Sequence, residues 1–137
     1  DIEVDFHHLV EDTVICLGAA LKDSLGENKG IKRFSYCYAR LDEALVRVCI
    51  DVSGRAYLSY NVHLETPVIV HFDAGLIEDF LRAFVNNAEI TVHVDCIRGK
   101  NTHHIVEAMF KALGIAVRDA SEVMYPDDEV PSTKGML

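Results

Sequence analysis

The stretch His103-His104-Ile105-Val106-Glu107 has an earlier counterpart in the same chain, His7-His8-Leu9-Val10-Glu11. The agreement continues downstream at the same offset: Leu17, Gly18, Ala20 and Asp23 match Leu113, Gly114, Ala116 and Asp119, and Lys22 faces Arg118. Self-similarity of this kind marks a duplicated supersecondary unit. In each copy an alternating apolar segment (Ile2 and Val4; Ile90, Val92 and Val94) leads into apolar residues at helical spacing. Each motif is therefore expected to open a helix that follows a strand.

Outward from the two motifs, Phe34 to Ala39, Ala44 to Val52 and Ala56 to Val62 alternate or are rich in β-branched and aromatic residues. The polar corner Asp51-Val52-Ser53-Gly54-Arg55 divides the last two, and the three segments predict a meander. Leu76, Ile77, Phe80, Leu81 and Phe84 share one helical face, with Asn86-Asn87 as the expected stop. Strands followed by helices on one face predict the α+β class. The expected division is 1–30 as the remainder of a first repeat, 31–122 as the second repeat, and 123–137 as a flexible C-terminal tail with little apolar periodicity. A helix and a strand precede the second motif within its unit, whereas only Asp1 to Phe6 precede the first. The first repeat is thus expected to be truncated, leaving Val10, Val14, Leu17 and Leu21 short of cover.

With 137 residues, half of them hydrophobic, the chain can bury the core of one ordinary domain. A formal net charge of -9 argues against a general nucleic-acid binder, so a basic cluster would serve a small anion. No apolar run approaches the roughly 18 to 20 residues of a membrane span and no signal-peptide pattern opens the chain, which places it in the cytosol. Cys16, Cys37, Cys49 and Cys96 lie in apolar-periodic segments without CxxC spacing, and are expected to be buried thiols in a reducing compartment.

On a helix, residues three and four apart share a face, so Glu11 can converge with His8 and His7, and Glu107 with His104 and His103. Adjacent histidines diverge by about 100° around the axis, which suits two different metal ions better than one. Imidazole and carboxylate without thiolate fit several divalent metals and do not single one out. The spacing is not the HExxH of zinc peptidases, which disfavours that class. For one isolated HHxxE, a capped helix end with exposed imidazoles would be the simpler reading. Retention of all six polar groups in both copies favours a paired metal site.

Taken together, His7-His8-Leu9-Val10-Glu11-Asp12, Leu41-Asp42-Glu43-Ala44, Asp51-Val52-Ser53-Gly54-Arg55, Asn101-Thr102-His103-His104-Ile105-Val106-Glu107-Ala108 with Phe110-Lys111-Ala112, and Pro131-Ser132-Thr133-Lys134-Gly135 resemble the imidazoleglycerol-phosphate dehydratase family, essentially from end to end. The resemblance implies two tandem repeats of a ribosomal protein S5 domain 2-like unit, with helices packed between mixed four-stranded sheets. It also implies a large homo-oligomer of cubic symmetry, of about twenty-four chains, with metal sites between subunits. By the same resemblance, His7, His8, Glu11, His103, His104 and Glu107 are ligands of two manganese ions (Mn2+). Asp79 stands where relatives carry a metal-contacting His or Glu. Arg33, Arg55, Lys111, Ser132, Thr133 and Lys134 become contacts to substrate, chiefly its phosphate, a division consistent with the needs of a phosphate dianion in an acidic protein. The family's upstream segment, with a further ligating His and a catalytic Glu, is not in this sequence. His63, His71 and His93 match no ligand position and are expected to be surface or strand histidines.

The activity so implied is dehydration of imidazole glycerol phosphate to imidazole acetol phosphate, in which a metal-bound ring acts as electron reservoir. Glu11, Glu107 and Asp42, with Glu43 beside it, are the acid and base candidates. The alternative is a non-catalytic metal-binding or assembly fragment of such an enzyme, and a metal-dependent hydrolase is a third option. Loss of the upstream segment is expected to harm turnover more than metal binding.

Overall fold

The structure, a computed structural model, describes residues 6–66, 68–69, 72–125 and 129–135. Ile2 and Val4, expected to form a strand, and His71 lie outside the described residues. The elements are α1 (Phe6–Leu25), β1 (Phe34–Leu41), β2 (Ala44–Asp51), β3 (Tyr57–Asn61), β4 (Val68–Ile69), β5 (Phe72–Asp73), α2 (Leu76–Ala88), β6 (Thr91–Arg98) and α3 (Thr102–Ala120). They form an α+β fold in which β1, β2, β6 and β3, in that order, make a mixed sheet, with β4 and β5 as a small separate hairpin.

The alternation in β2 drives this arrangement. Ala44, Val46, Val48 and Ile50 are buried, while Leu45, Arg47, Cys49 and Asp51 between them are half-buried. Val92 and Val94 of β6 continue the same inner face. Helix α3 covers β1 and β2, α2 leans on β3, and α1 packs on α2. Ile77, Leu81, Ile105 and Met109 fill the space between helices and sheet. Burying four such side chains supplies roughly 1.5–3 kcal/mol each.

Three expectations are corrected. The strands are not a meander, because β6 inserts between β2 and β3 and pairs antiparallel with one and parallel with the other. The longer β6, with Val92 and Val94 buried, takes the central position, where both edges are hydrogen-bonded, and the short β3 takes the edge. Helix α2 runs through Asn86-Asn87 to Ala88 and ends where Glu89 adopts the left-handed conformation, its N–H donating to Val85 O. Asn87 donates its side-chain amide to Ala83 O at 2.8 Å, which lets it stay inside the helix. The four thiols are free, but Cys16 is exposed and the other three are half-buried, since Cys16 lies on the outer face of α1 and Cys49 on the uncovered face of β2.

The expected gap in the cover of α1 is narrower than its apolar pattern suggested. Val14 is fully buried and Leu21 packs against the core, while Leu9, Ile15 and Leu17 are the large apolar side chains exposed among the described residues of α1.

Candidate functional site

Asn101 sits just before α3 with extended backbone, and its side-chain oxygen accepts the N–H groups of His103 and His104 at 2.9 and 3.3 Å. This N-cap satisfies two orphan donors and fixes both histidines in the first turn. His103 Nε2 lies 3.2 Å from Glu107 Oε2, and Lys111 Nζ lies 2.7 Å from Glu107 Oε1, each pair one helical turn apart. Lys111 holds the Glu107 carboxyl below the usual range.

His104 diverges from His103, as adjacent positions require: the two rings are 6.2 Å apart and inclined by 67°. It turns toward Glu43, in the two-residue turn between β1 and β2, with His104 Nδ1 2.8 Å from Glu43 Oε2. The other oxygen of Glu43 accepts the N–H groups of Lys100 and Asn101 at 3.2 and 2.8 Å. The His104 bond first, then these backbone donors, pull the Glu43 pKa down to about 2, and Glu43 in turn raises that of His104. Asp42 precedes it at φ 46°, a conformation Asp tolerates, and its charge also acts on His104.

The first motif opens α1. His7 Nε2 lies 3.9 Å from Glu11 Oε2, and the His7 and His8 rings are 6.0 Å apart and inclined by 84°. His7, Glu11 and Asp79 line one cavity of about 320 Å3 between α1 and the start of α2. The structure thus brings Asp79 to the first motif, on α2. Among the described residues, no three His, Cys, Asp or Glu side chains converge as a ready-made metal site. His63 and His93 are exposed.

Arg33, Arg55, Ser132, Thr133 and Lys134 line a second cavity, of about 470 Å3, with Phe34, Ser53, Gly54 and Pro131. Arg33 donates to both oxygens of Asp51 at 2.7 and 3.3 Å and to Pro131 O at 2.7 Å. The described part of the last fifteen residues follows specific bonds to 30–33: Met124 and Tyr125 donate to Gly30 O, and Gly30 donates to Glu129 O. Arg33 therefore seats the Ser132 to Lys134 turn beside Arg55. Lys111 is not part of this cluster and stays with Glu107.

The two clusters occupy opposite ends of the fold. Glu43 and His104 stand at the Leu41 end of β1, whereas Arg33 precedes Phe34 and donates its N–H to Ala120 O at the far end of α3. Eight residues of strand at ~3.3 Å each place these ends roughly 26 Å apart. The helices run in the same direction, with His7 beside Asp79, Lys22 on Glu89, and Phe80 against Phe110. Both histidine motifs consequently share one end of the helix layer.

What sequence reasoning missed is the division of labour at Leu41-Asp42-Glu43-Ala44. Glu43 stood beside Asp42 as an acid or base, but its oxygens are engaged by His104 and two backbone donors. The signal available was a carboxylate in a tight turn, without any indication of what it would meet. The Asp51 contact to Arg33 was likewise hidden in the polar corner.

An α+β fold of three helices and a mixed sheet, with two HHxxE helix starts at one end and an Arg-Ser-Lys cluster at the other, defines a narrow structural class. The family model described as imidazoleglycerol-phosphate dehydratase matches residues 1–117. Relatives of that description include one from Prochlorococcus marinus subsp. pastoris, 51% identical over the whole chain and 69% of its own length, and one from Caldanaerobacter subterraneus, 50% identical over the whole chain and 71% of its own. The crystal structure of imidazoleglycerol-phosphate dehydratase from Staphylococcus aureus superposes with a TM-score of 0.85 at 42% identity, over 88% of this chain and 71% of that one. The enzyme from Pyrococcus furiosus, solved in complex with (S)-C348, gives 0.83 at 38% identity over 96% of this chain and 71% of its own. The chain belongs to the imidazoleglycerol-phosphate dehydratase family, hydro-lyases of histidine biosynthesis. Among the described residues no helix is long and apolar enough to cross a membrane.

Proposed function

We propose that the chain carries out metal-dependent dehydration of imidazole glycerol phosphate to imidazole acetol phosphate, with two manganese ions per site, in active sites shared between copies of the chain. The observation that carries this is the roughly 26 Å between the histidine end and the Arg33–Arg55–Lys134 end of one chain. A single small substrate cannot span that distance. If one end holds its imidazole and the other its phosphate, the two must come from neighbouring chains. The large homo-oligomer of cubic symmetry, with about twenty-four chains, follows the same logic of closed symmetric assembly.

The donor set fits manganese: imidazole nitrogens and carboxylate oxygens without thiolate, paired on helix faces at His103 and Glu107 and at His7 and Glu11. His7, His8, Glu11, His103, His104 and Glu107 would hold the metals, with Asp79 beside the first set. When bound, the metals would favour loss of the substrate ring's N–H proton, so that the ring could supply the electrons that let hydroxide leave. Arg55, Ser132, Thr133 and Lys134 bind the phosphate through charge-assisted hydrogen bonds, with Arg33 holding their loop in place. Asp42, Glu11 and Glu107 are the groups able to carry the proton lost from carbon and the proton taken by the departing hydroxide. The repeated motif, placed at one end of parallel helices, supports descent from two tandem repeats of a ribosomal protein S5 domain 2-like unit.

The test is complementation. His104→Ala and Arg55→Ala chains, each unable to turn over imidazole glycerol phosphate in manganese buffer, regain activity when assembled together, because some sites then draw an intact end from each. A mixture as inactive as its components would reject the shared site, and a parent free of manganese on elemental analysis would reject the metal.

A further inference from the structure

Glu43 is placed to do something other than exchange protons with substrate. A carboxylate only accepts hydrogen bonds, so at 2.8 Å from Glu43 Oε2 the Nδ1 of His104 must carry the proton. In the neutral ring this leaves Nε2 as the only lone pair. The carboxylate is itself immobilised, since its other oxygen accepts the N–H groups of Lys100 and Asn101. One of those residues is the N-cap whose side chain fixes the backbone of His104. Backbone and ring of His104 are thus locked by one connected set of bonds running from the β1–β2 turn to the start of α3. His103, whose side chain is 61% exposed against 26% for His104, forms its ion-pair contact among the described residues with its helix partner Glu107.

We propose that Glu43 is a positioning residue that selects the Nδ1–H tautomer of His104 and aims Nε2 outward as a metal donor. This rests on the metal reading above. Outer-shell carboxylates of this kind typically change metal affinity 10–100-fold when removed. The lock spans the sheet and the helix, so no helical spacing within the HHxxE motif could reveal it.

Glu43→Gln separates this role from simple support. Its carbonyl can still accept from Lys100 and Asn101, while the amide presents a donor to Nδ1 and so forces the Nε2–H tautomer. Imidazole nitrogen shifts by NMR on the metal-free protein should show Nδ1–H in the parent and Nε2–H in Glu43→Gln, with thermal midpoints nearly equal. Manganese affinity should fall about 10–100-fold in the variant. Glu43→Asp, which keeps a carboxylate, should retain the parent tautomer and recover part of the affinity. The same tautomer in parent and Glu43→Gln, or a changed tautomer with unchanged affinity, would overturn the role of Glu43 alone. A parent that binds no manganese would overturn the metal reading and this role with it.

Discussion

Helices α1 and α3 carry the same motif, the same glycine and the same downstream apolar residues, yet their surroundings differ in kind. Around α3, Asn101 caps the first turn, Glu43 orients His104, and the helix lies across β1 and β2. Helix α1 lies on α2, where His7 and Glu11 share a cavity with Asp79. Gly18 approaches α2 so closely that a Cβ would meet Asn87 Cβ at 2.8 Å and Phe84 O at 2.9 Å. Its counterpart Gly114 has nothing within 4 Å of that point. Equal sequence therefore encodes equal local structure, the helix and its start, while the role of each residue is assigned by what the helix is laid against.

The largest difference is expected in metal binding. His104→Ala should lower manganese affinity about a hundredfold, equivalent to ~2.7 kcal/mol, because it removes the preorganised donor. Titration with manganese, followed by elemental analysis after gel filtration, checks this, and equal binding by parent and variant would erase the functional distinction of the α3 end.

Next in size is the glycine pair. Gly18→Ala should cost about 1–3 kcal/mol, since the new methyl must push against the α2 backbone. Gly114→Ala should be neutral or stabilising by up to ~1 kcal/mol, because helix propensity improves and no atom stands in the way. Urea unfolding of both variants decides it; equal midpoints would mean that α1 does not pack on α2 as described.

A smaller effect belongs to the cap. Asn101→Ala should cost ~1 kcal/mol in the same unfolding experiment, and it should also weaken manganese binding by loosening His104. Loss of stability with metal affinity unchanged would show that Glu43 alone suffices to hold the ring.

Truncation after Val130 probes the opposite end. It removes Pro131, the acceptor of Arg33, together with Ser132 and Lys134. Binding of a phosphate-bearing imidazole ligand should weaken while manganese content stays the same. Calorimetry showing equal ligand affinity would detach this loop from the anion cluster, whereas a parallel loss of metal would show that the two ends are coupled within one chain.

Local pattern alone determined the three helices, the strands β1, β2 and β3 near their final bounds, and the two histidine–glutamate motifs, because period and motif spacing are written in neighbouring positions. The repeated His-His-x-x-Glu needed no knowledge of the fold to be singled out, whereas Arg33 and Lys134, far apart in the chain, were singled out through the family resemblance. Tertiary structure decided that β6 separates β2 from β3, since strand order depends on which apolar strand takes the centre rather than on succession along the chain. It also decided that Glu43 meets His104, that Asp51 and Pro131 hold Arg33, and that Gly18 is confined while Gly114 is free. Each of these depends on groups brought together from distant parts of the chain by burial of the sheet's inner face, which the spacing of residues along one helix or one strand does not encode.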